Sequence, residues 1–269
     1  MWFVRMMFLL VPVALLAQSP SGVKVYYEDQ EGGVQLYADN TRFCPFTVEF
    51  RLETINMQSD GGRLIEKVLD AGAYRVPIAF LTITDVYQES SFNFKVTYFM
   101  GNALDKPSSD HTYRLPFRAG QRYYMSQGYN GVFSHQGKYS VDFTMPEGTE
   151  VCAARSGMVV EVSLTSTSGC PDVKCIHDAN HIIIYHDDGT FADYAHLLQH
   201  GSLVHPGDRV EEGQVIGYSG NTGFSSGPHL HFEVFYQDKE KRITLPTLFY
   251  LSPGHSGYLE EKNAYTAFD

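Results

Sequence analysis

The chain has 269 residues, enough for two domains at roughly 150 residues each. Its 43% hydrophobic and 14% aromatic content is that of a globular, strand-leaning protein rather than a disordered one. Thirty-one acidic against 20 basic residues give a formal net charge of -11. With no basic patch to oppose it, that charge excludes a nucleic-acid partner and charge-driven docking on an anionic membrane.

The first 17 residues combine Arg5, an apolar run from Met6 to Leu16 and small Ala17 ahead of Gln18-Ser19-Pro20. This pattern reads as a cleavable export signal, residues 1–17, because the run is shorter than the roughly 20 residues of a spanning helix and Pro12 interrupts it. No later segment is apolar enough to span. From residue 18 to about His111 apolar side chains alternate with polar ones, at Phe46, Val48, Phe50 and Leu52 and again at Phe92, Phe94, Val96 and Tyr98. Such a period of two predicts half-buried strands, and Asp60-Gly61-Gly62 and Asp70-Ala71-Gly72 are turns between them. The expectation is a small β-sandwich-like accessory domain over residues 18–112. The turn-rich Lys106-Pro107-Ser108-Ser109-Asp110 marks the boundary, and a second domain occupies residues 113–269. There 157–162, 182–185, 191–196, 214–218 and 230–236 are predicted strands, with Asp188-Gly189 as a hairpin turn. The fold class is mainly β.

Export permits disulfides. Of Cys44, Cys152, Cys170 and Cys175 only the last two are close in sequence, so they are expected to close a short loop. Cys152 lies in an apolar stretch and reads as a buried small hydrophobe.

The residues suited to chemistry begin with His229-Leu230-His231-Phe232-Glu233. On a strand these place His229, His231 and Glu233 on one face and Leu230, Phe232 and Val234 on the other. With 11 His in the chain a His-x-His arises by chance roughly once in two such proteins, so the motif needs company. It has it in His135 through Asp142 and in Tyr194-Ala195-His196-Leu197. A catalytic zinc commonly takes three His or carboxylate ligands and leaves one position open; His135, Asp142 and His231 supply that set. His196 and His229 are then the candidates for proton transfer beside one zinc ion. Glu233 is a candidate carboxylate for orienting a ligating imidazole. His181, His186, His177, His200 and His205 lie in or near turns and loops, where capping, turn bonding or solvation accounts for them.

These clusters fall in an order that resembles the lysostaphin-type (LytM-like) zinc metallopeptidase family over about residues 123–255. The likeness runs from His135 and Asp142 through Pro146-Glu147-Gly148-Thr149-Glu150-Val151, Tyr194-Ala195-His196-Leu197 and Gly207-Asp208-Arg209-Val210. It continues through Gly213-Gln214-Val215-Ile216-Gly217 and Ser219-Gly220-Asn221-Thr222-Gly223 to Gly227-Pro228-His229-Leu230-His231-Phe232. The resemblance implies a groove on an antiparallel β-sheet, with zinc held by His135, Asp142 and His231. It also implies that of His196 and His229 one activates water and the other stabilises the oxyanion. Tyr129 resembles in position a family tyrosine that stabilises the transition state. The implied substrate is a peptide of bacterial peptidoglycan, met outside the cytoplasm, with a cell-wall or envelope protein as a further partner. The alternative the family offers is a non-catalytic regulator that activates another wall hydrolase; retention of all five candidate residues argues against it. The 207–217 pattern also resembles biotinyl or lipoyl carriers, which need a modifiable Lys that Asn221-Thr222-Gly223 does not provide. One departure stands out, since typical members separate the first His and the Asp by three residues and here six intervene.

Overall fold

The computed structural model describes residues 22–107, 110–239 and 241–269. The expected export signal and the expected new start near Gln18 lie outside them. The described chain separates into two compact units, one holding residues up to Thr41 with Val48–Tyr98, the other Arg42–Thr47 with Phe99–Asp269. None of the described helices is long and apolar enough to cross a membrane.

In the first unit, β1 (Val23–Gln30) and β2 (Gly33–Asn40) form a hairpin, and β3 (Phe46–Ile55), β4 (Met57–Ser59), β5 (Leu64–Leu69), β6 (Val76–Ile83) and β7 (Ser91–Met100) follow. One sheet has the order β1-β2-β6-β4, the other β5-β3-β7. Leu36 and Leu81 from the first sheet and Leu52 from the second share a buried cluster, against which Phe92 and Phe94 pack, so the unit is sandwich-like. The alternation read for β3 fails in its first half. Thr47 and Glu49 are buried along with Phe46, Val48 and Phe50. Glu49 accepts two bonds from Arg51, and the Thr47 hydroxyl donates to the Gly101 carbonyl while accepting from the Ala103 amide. Polar groups enter a core when they are paired in this way.

The second unit is built from β8 (Thr112–Tyr113), β9 (Arg122–Gln127), β10 (Ser140–Thr144), β11 (Glu150–Cys152), β12 (Gly157–Ser163) and β13 (Gly169–Cys170). A 3-10 turn at Val173–Asp178 precedes β14 (His181–Tyr185), β15 (Phe191–Ala195), β16 (Leu197–Ser202), β17 (Arg209–Val210) and β18 (Val215–Ser219). Then come β19 (Gly223–Phe224), β20 (His229–Asp238), β21 (Lys241–Leu245), β22 (Leu248–Ser252), β23 (His255–Gly257) and β24 (Ala264–Thr266). Its main sheet runs β17-β12-β14-β15-β20-β10-β9-β24, with β21 also paired to β20, and every ladder in it is antiparallel. Smaller sheets β11-β18-β16 and β23-β22-β8 and the β13-β19 pair complete the unit.

The hairpin expected at Asp188-Gly189 joins β14 to β15. Gly189 has φ 89°, a left-handed conformation that favours glycine, and the Asp188 carboxylate accepts from the Thr190 amide. Along β20, Leu230, Phe232 and Val234 enter a core with Tyr194, Phe143, Ile182 and Ile216, while His229, His231 and Glu233 take the opposite face. Burying a Phe or Leu side chain contributes about 1.5–3 kcal/mol, so this row fixes the register of β20 and with it the direction of both imidazoles. Cys152 is a buried free thiol, whose burial raises its pKa to about 11.

Candidate active site

Three antiparallel pairings set the floor of the cleft. In register, Asp142 on β10 lies opposite His231 on β20 and opposite Gln127 on β9, while His231 also faces Ala195 on β15. His135 comes from the loop between β9 and β10. That loop holds the three extra residues outside the ladder: the His135 amide donates to the Gly131 carbonyl, the Lys138 amide to the His135 carbonyl, and the Asn130 amide to the Lys138 carbonyl. The longer spacing between His135 and Asp142 is taken up in these turns; β10 keeps an unbroken register with β20, while its ladder with β9 shifts between Asp142 and Phe143.

His135, Asp142 and His231 bring one ligand atom each to within 4.8 Å of one another. His135 Nε2 lies 3.3 Å from Asp142 Oδ1 and 3.3 Å from His231 Nδ1, and His231 Nδ1 lies 2.9 Å from Asp142 Oδ1. These separations are close to the edge of a tetrahedron with bonds of about 2.0–2.1 Å, which is roughly 3.3 Å. The remote nitrogens are occupied. His135 Nδ1 is 3.0 Å from the Gly128 carbonyl and His231 Nε2 is 3.3 Å from Glu233 Oε2. Each remote nitrogen donates to its oxygen, so with an ion bound His135 Nε2 and His231 Nδ1 would be the lone pairs that hold it together with the Asp142 carboxylate. Three acceptors facing one point require a cation, and the donor set fits zinc. Burial opposes ionisation of both partners, yet the adjoining imidazoles of His135 and His231 hold Asp142 well below the carboxylate range, and bonds to Asp142 and Glu233 push His231 up to about 10.

Beside this cluster stand two more imidazoles. His196 follows β15, and its backbone adopts φ 64°, a left-handed conformation that costs a non-glycine residue about 1–2 kcal/mol. Its Nδ1 lies 2.6 Å from the Thr222 carbonyl. His229 Nδ1 lies 2.8 Å from the Gly227 carbonyl and 3.2 Å from Ser225 Oγ. Both carbonyls accept only, so each Nδ1 carries a proton. The two rings are 4.5 Å apart, and His196 is 5.8 Å from the His231 ring. Burial, and then the neighbouring His229 and His231, lower the His196 pKa to about 3, so it stays neutral. All of these except His135 line one cleft of about 420 Å³, whose walls carry Val132, Phe133, Phe224 and Ser225.

Residues 136–243 match Peptidase family M23, a stretch that contains Asp142, His196, His229 and His231 and begins one residue after His135. The chain is 42% identical over 96 residues to glycyl-glycine endopeptidase ALE-1 of Staphylococcus capitis, an overlap that takes in 35% of this chain and 24% of the relative. It is 36% identical over 108 residues to peptidoglycan DD-endopeptidase ShyA of Vibrio cholerae, 40% of this chain and 22% of that one.

This segment belongs to the lysostaphin-type, LytM-like family.

The chain spans about a quarter of the length of these curated relatives. Among solved structures, the catalytic domain of lysostaphin from Staphylococcus simulans is similar at 32% identity, covering 46% of this chain and 86% of that one with a TM-score of 0.35.

Around this site the structure adds supports that the sequence did not single out. Gln127 Nε2 donates to Asp142 Oδ2 at 2.9 Å and to Ser134 Oγ at 2.8 Å, while its Oε1 accepts from the Phe133 and Ser134 amides. One amide side chain thereby ties the carboxylate to the loop that carries His135. Glu233, 4% exposed, also accepts from Ser140 Oγ at 2.6 Å and from Arg242 at 3.0 Å, and Arg242 reaches Asp193 at 2.7 Å as well. Nothing local in Gln127, Ser140 or Arg242 signals these roles, because strand register alone puts them there. The sequence signal for Glu233 was its place on the His229–His231 face.

Tyr129 is the exception among the candidate residues. Its hydroxyl donates to the Thr247 carbonyl and accepts from the Thr247 amide, both at 2.9 Å, and the ring packs against the core. It is not among the residues lining the cleft. With one bond donated and one accepted, the hydroxyl clasps the β21–β22 connection. Cys170 and Cys175 form a disulfide, which closes the 3-10 turn onto β13. His186 is fully buried, with Nδ1 donating to the Ser156 carbonyl, and His181 pairs with Glu161 at 3.1 Å.

Proposed function

We propose that the protein is a zinc endopeptidase that hydrolyses peptide bonds of bacterial peptidoglycan, acting outside the cytoplasm. The observation that carries this reading is the convergence on one point of His135 and Asp142, both buried, and the half-buried His231, with two further imidazoles on the same cleft. The endopeptidase names of ALE-1 and ShyA support the substrate class. The Cys170–Cys175 disulfide suits an oxidising compartment.

His135 Nε2, Asp142 and His231 Nδ1 would hold the ion. When bound, zinc supplies a Lewis acid that polarises a scissile carbonyl and acidifies water. Glu233 holds the His231 ring in the tautomer that ligates, and Gly128 does the same for His135. Gln127 keeps Asp142 turned into the site. His196 and His229 present Nε2 to the cleft, where a neutral imidazole accepts a proton from water and returns it to the leaving amine. The ring that is protonated can donate to the oxyanion as charge develops. The two cleft walls position the peptide across these groups. The first unit, with no comparable cluster among its described residues, serves as an accessory domain in this reading.

The test compares zinc content and hydrolysis of purified peptidoglycan by the full chain and two variants. His231→Ala should lose both metal and activity, whereas His196→Ala should keep zinc and lose about a hundredfold to ten-thousandfold in turnover. A zinc-loaded protein that cleaves no peptidoglycan peptide overturns the reading.

A further inference from the structure

The wall that orients His196 and His229 is itself held by the disulfide loop. β13 pairs in parallel with β19, Gly169 opposite Gly223 and Cys170 opposite Phe224. The Gly223 amide donates to the Ser168 carbonyl at 2.8 Å and the Ser225 amide to the Cys170 carbonyl at 3.1 Å. The first bond falls on the residue after Thr222, whose carbonyl accepts from His196, and the second on Ser225, whose hydroxyl lies beside His229 Nδ1. The approach is close: a Cβ added at Gly169 would lie 1.9 Å from the Asn221 carbonyl oxygen.

The other end of the same loop grips His196 from below. After the 3-10 turn, the buried Asn180 donates its amide to Thr222 Oγ1 and its side chain to the Leu197 carbonyl and the Ser166 carbonyl. Leu197 in turn donates its amide to Asn180. His196 therefore sits, in its left-handed conformation, between two residues that the 166–180 segment holds. That segment is exposed over most of its length and has a single short turn of its own, so the bond between Cys170 and Cys175 is what closes it.

We propose that the Cys170–Cys175 disulfide is a positioning device for His196 and His229, which makes turnover dependent on the redox state of this pair. The inference rests on the peptidase reading. Cys170 is half-buried, within reach of a reductant. Reduction by a trialkylphosphine breaks the S–S bond, the two sulfurs take up hydrogens from water as thiols, and the phosphine leaves as its oxide. The metal ligands come from β10, β20 and the β9–β10 loop, none of which pairs with β13, so zinc should stay. A chain oxidised only after export would gain full turnover only there.

The experiment uses the full zinc-loaded chain, oxidised, phosphine-reduced, reoxidised, and as C170S/C175S. Expected on reduction is a tenfold to hundredfold fall in kcat on peptidoglycan, with KM within about twofold, about one zinc per chain and recovery on reoxidation, since small misplacement of a catalytic group costs about a hundredfold. C170S/C175S should match the reduced protein. Imidazole 15N spectra read the brace without substrate: the His196 Nδ1 proton bound to Thr222 should be present when oxidised and lost when reduced. Equal kcat in all forms, kcat loss that tracks zinc loss, or an unchanged His196 signal would each overturn the proposal. Absence of hydrolysis by the oxidised protein would instead defeat the peptidase reading, and the His196 signal would still decide the brace.

Discussion

Replacing Glu233 with Gln changes one charge and almost no volume, and the groups around it set the consequence. The carboxylate receives three donors, with Ser140 and His231 on Oε2 and Arg242 on Oε1. A Gln amide has one oxygen. If that oxygen takes the Oε2 position, its NH2 faces the Arg242 guanidinium; if it takes the Oε1 position, NH2 faces His231 Nε2 and drives the proton to Nδ1, where the ion should bind. Either way one bond to a charged group is lost, worth about 1.5–3 kcal/mol. Loss of such an outer partner costs ten- to a hundredfold in metal affinity, about 1.4–2.8 kcal/mol. The expected result is a zinc Kd raised by that factor at neutral pH, measured by competition with a chromogenic chelator. Far-UV circular dichroism should be unchanged, because Arg242 retains Asp193. A Kd within about twofold of the unmodified protein, in a folded variant with normal Tm, would refute the claim that Glu233 sets the His231 tautomer.

Burial lowers the His186 pKa to about 4 from an ordinary 6.5. The unfolded chain then takes up a proton that the folded one refuses, so stability should fall as pH drops from about 6.5 to about 4, by up to about 3 kcal/mol. Urea unfolding across that window should show a shallower slope for His186→Gln, and identical slopes would rule the group out. Tyr129→Phe should leave kcat unchanged while lowering stability by about 1–3 kcal/mol, since the Thr247 amide loses its acceptor; a large loss of kcat with normal stability would return Tyr129 to the chemistry. Mass spectrometry of exported protein should find a chain beginning near Gln18, and retention of residues 1–16 would contradict cleavage.

Several features were written in the sequence because they depend on neighbours along the chain. The Asp188-Gly189 turn, the strand read over 230–236 and found over His229–Asp238, and the shared face of His229, His231 and Glu233 come from local period and turn chemistry. The motif order also named Asp142, His196, His229 and His231, because each sits in a short stretch whose residue types are recognisable. What the sequence left open depends on contacts made across it. The half-buried pattern read for β3 gave way at Thr47 and Glu49, where partners distant in sequence or on the same strand satisfy them. Six residues between His135 and Asp142 looked like a threat to the ligand set, and only the folded loop shows the excess stored in turns. Tyr129 has the right distance along the chain from His135, but its direction is set by Thr247, 118 residues away. Gln127, Ser140 and Arg242 became parts of the site through register alone. Side-chain chemistry and turn geometry are local and can be read from a string; the tautomer of a buried histidine depends on which distant oxygen meets its other nitrogen, and only packing brings that oxygen there.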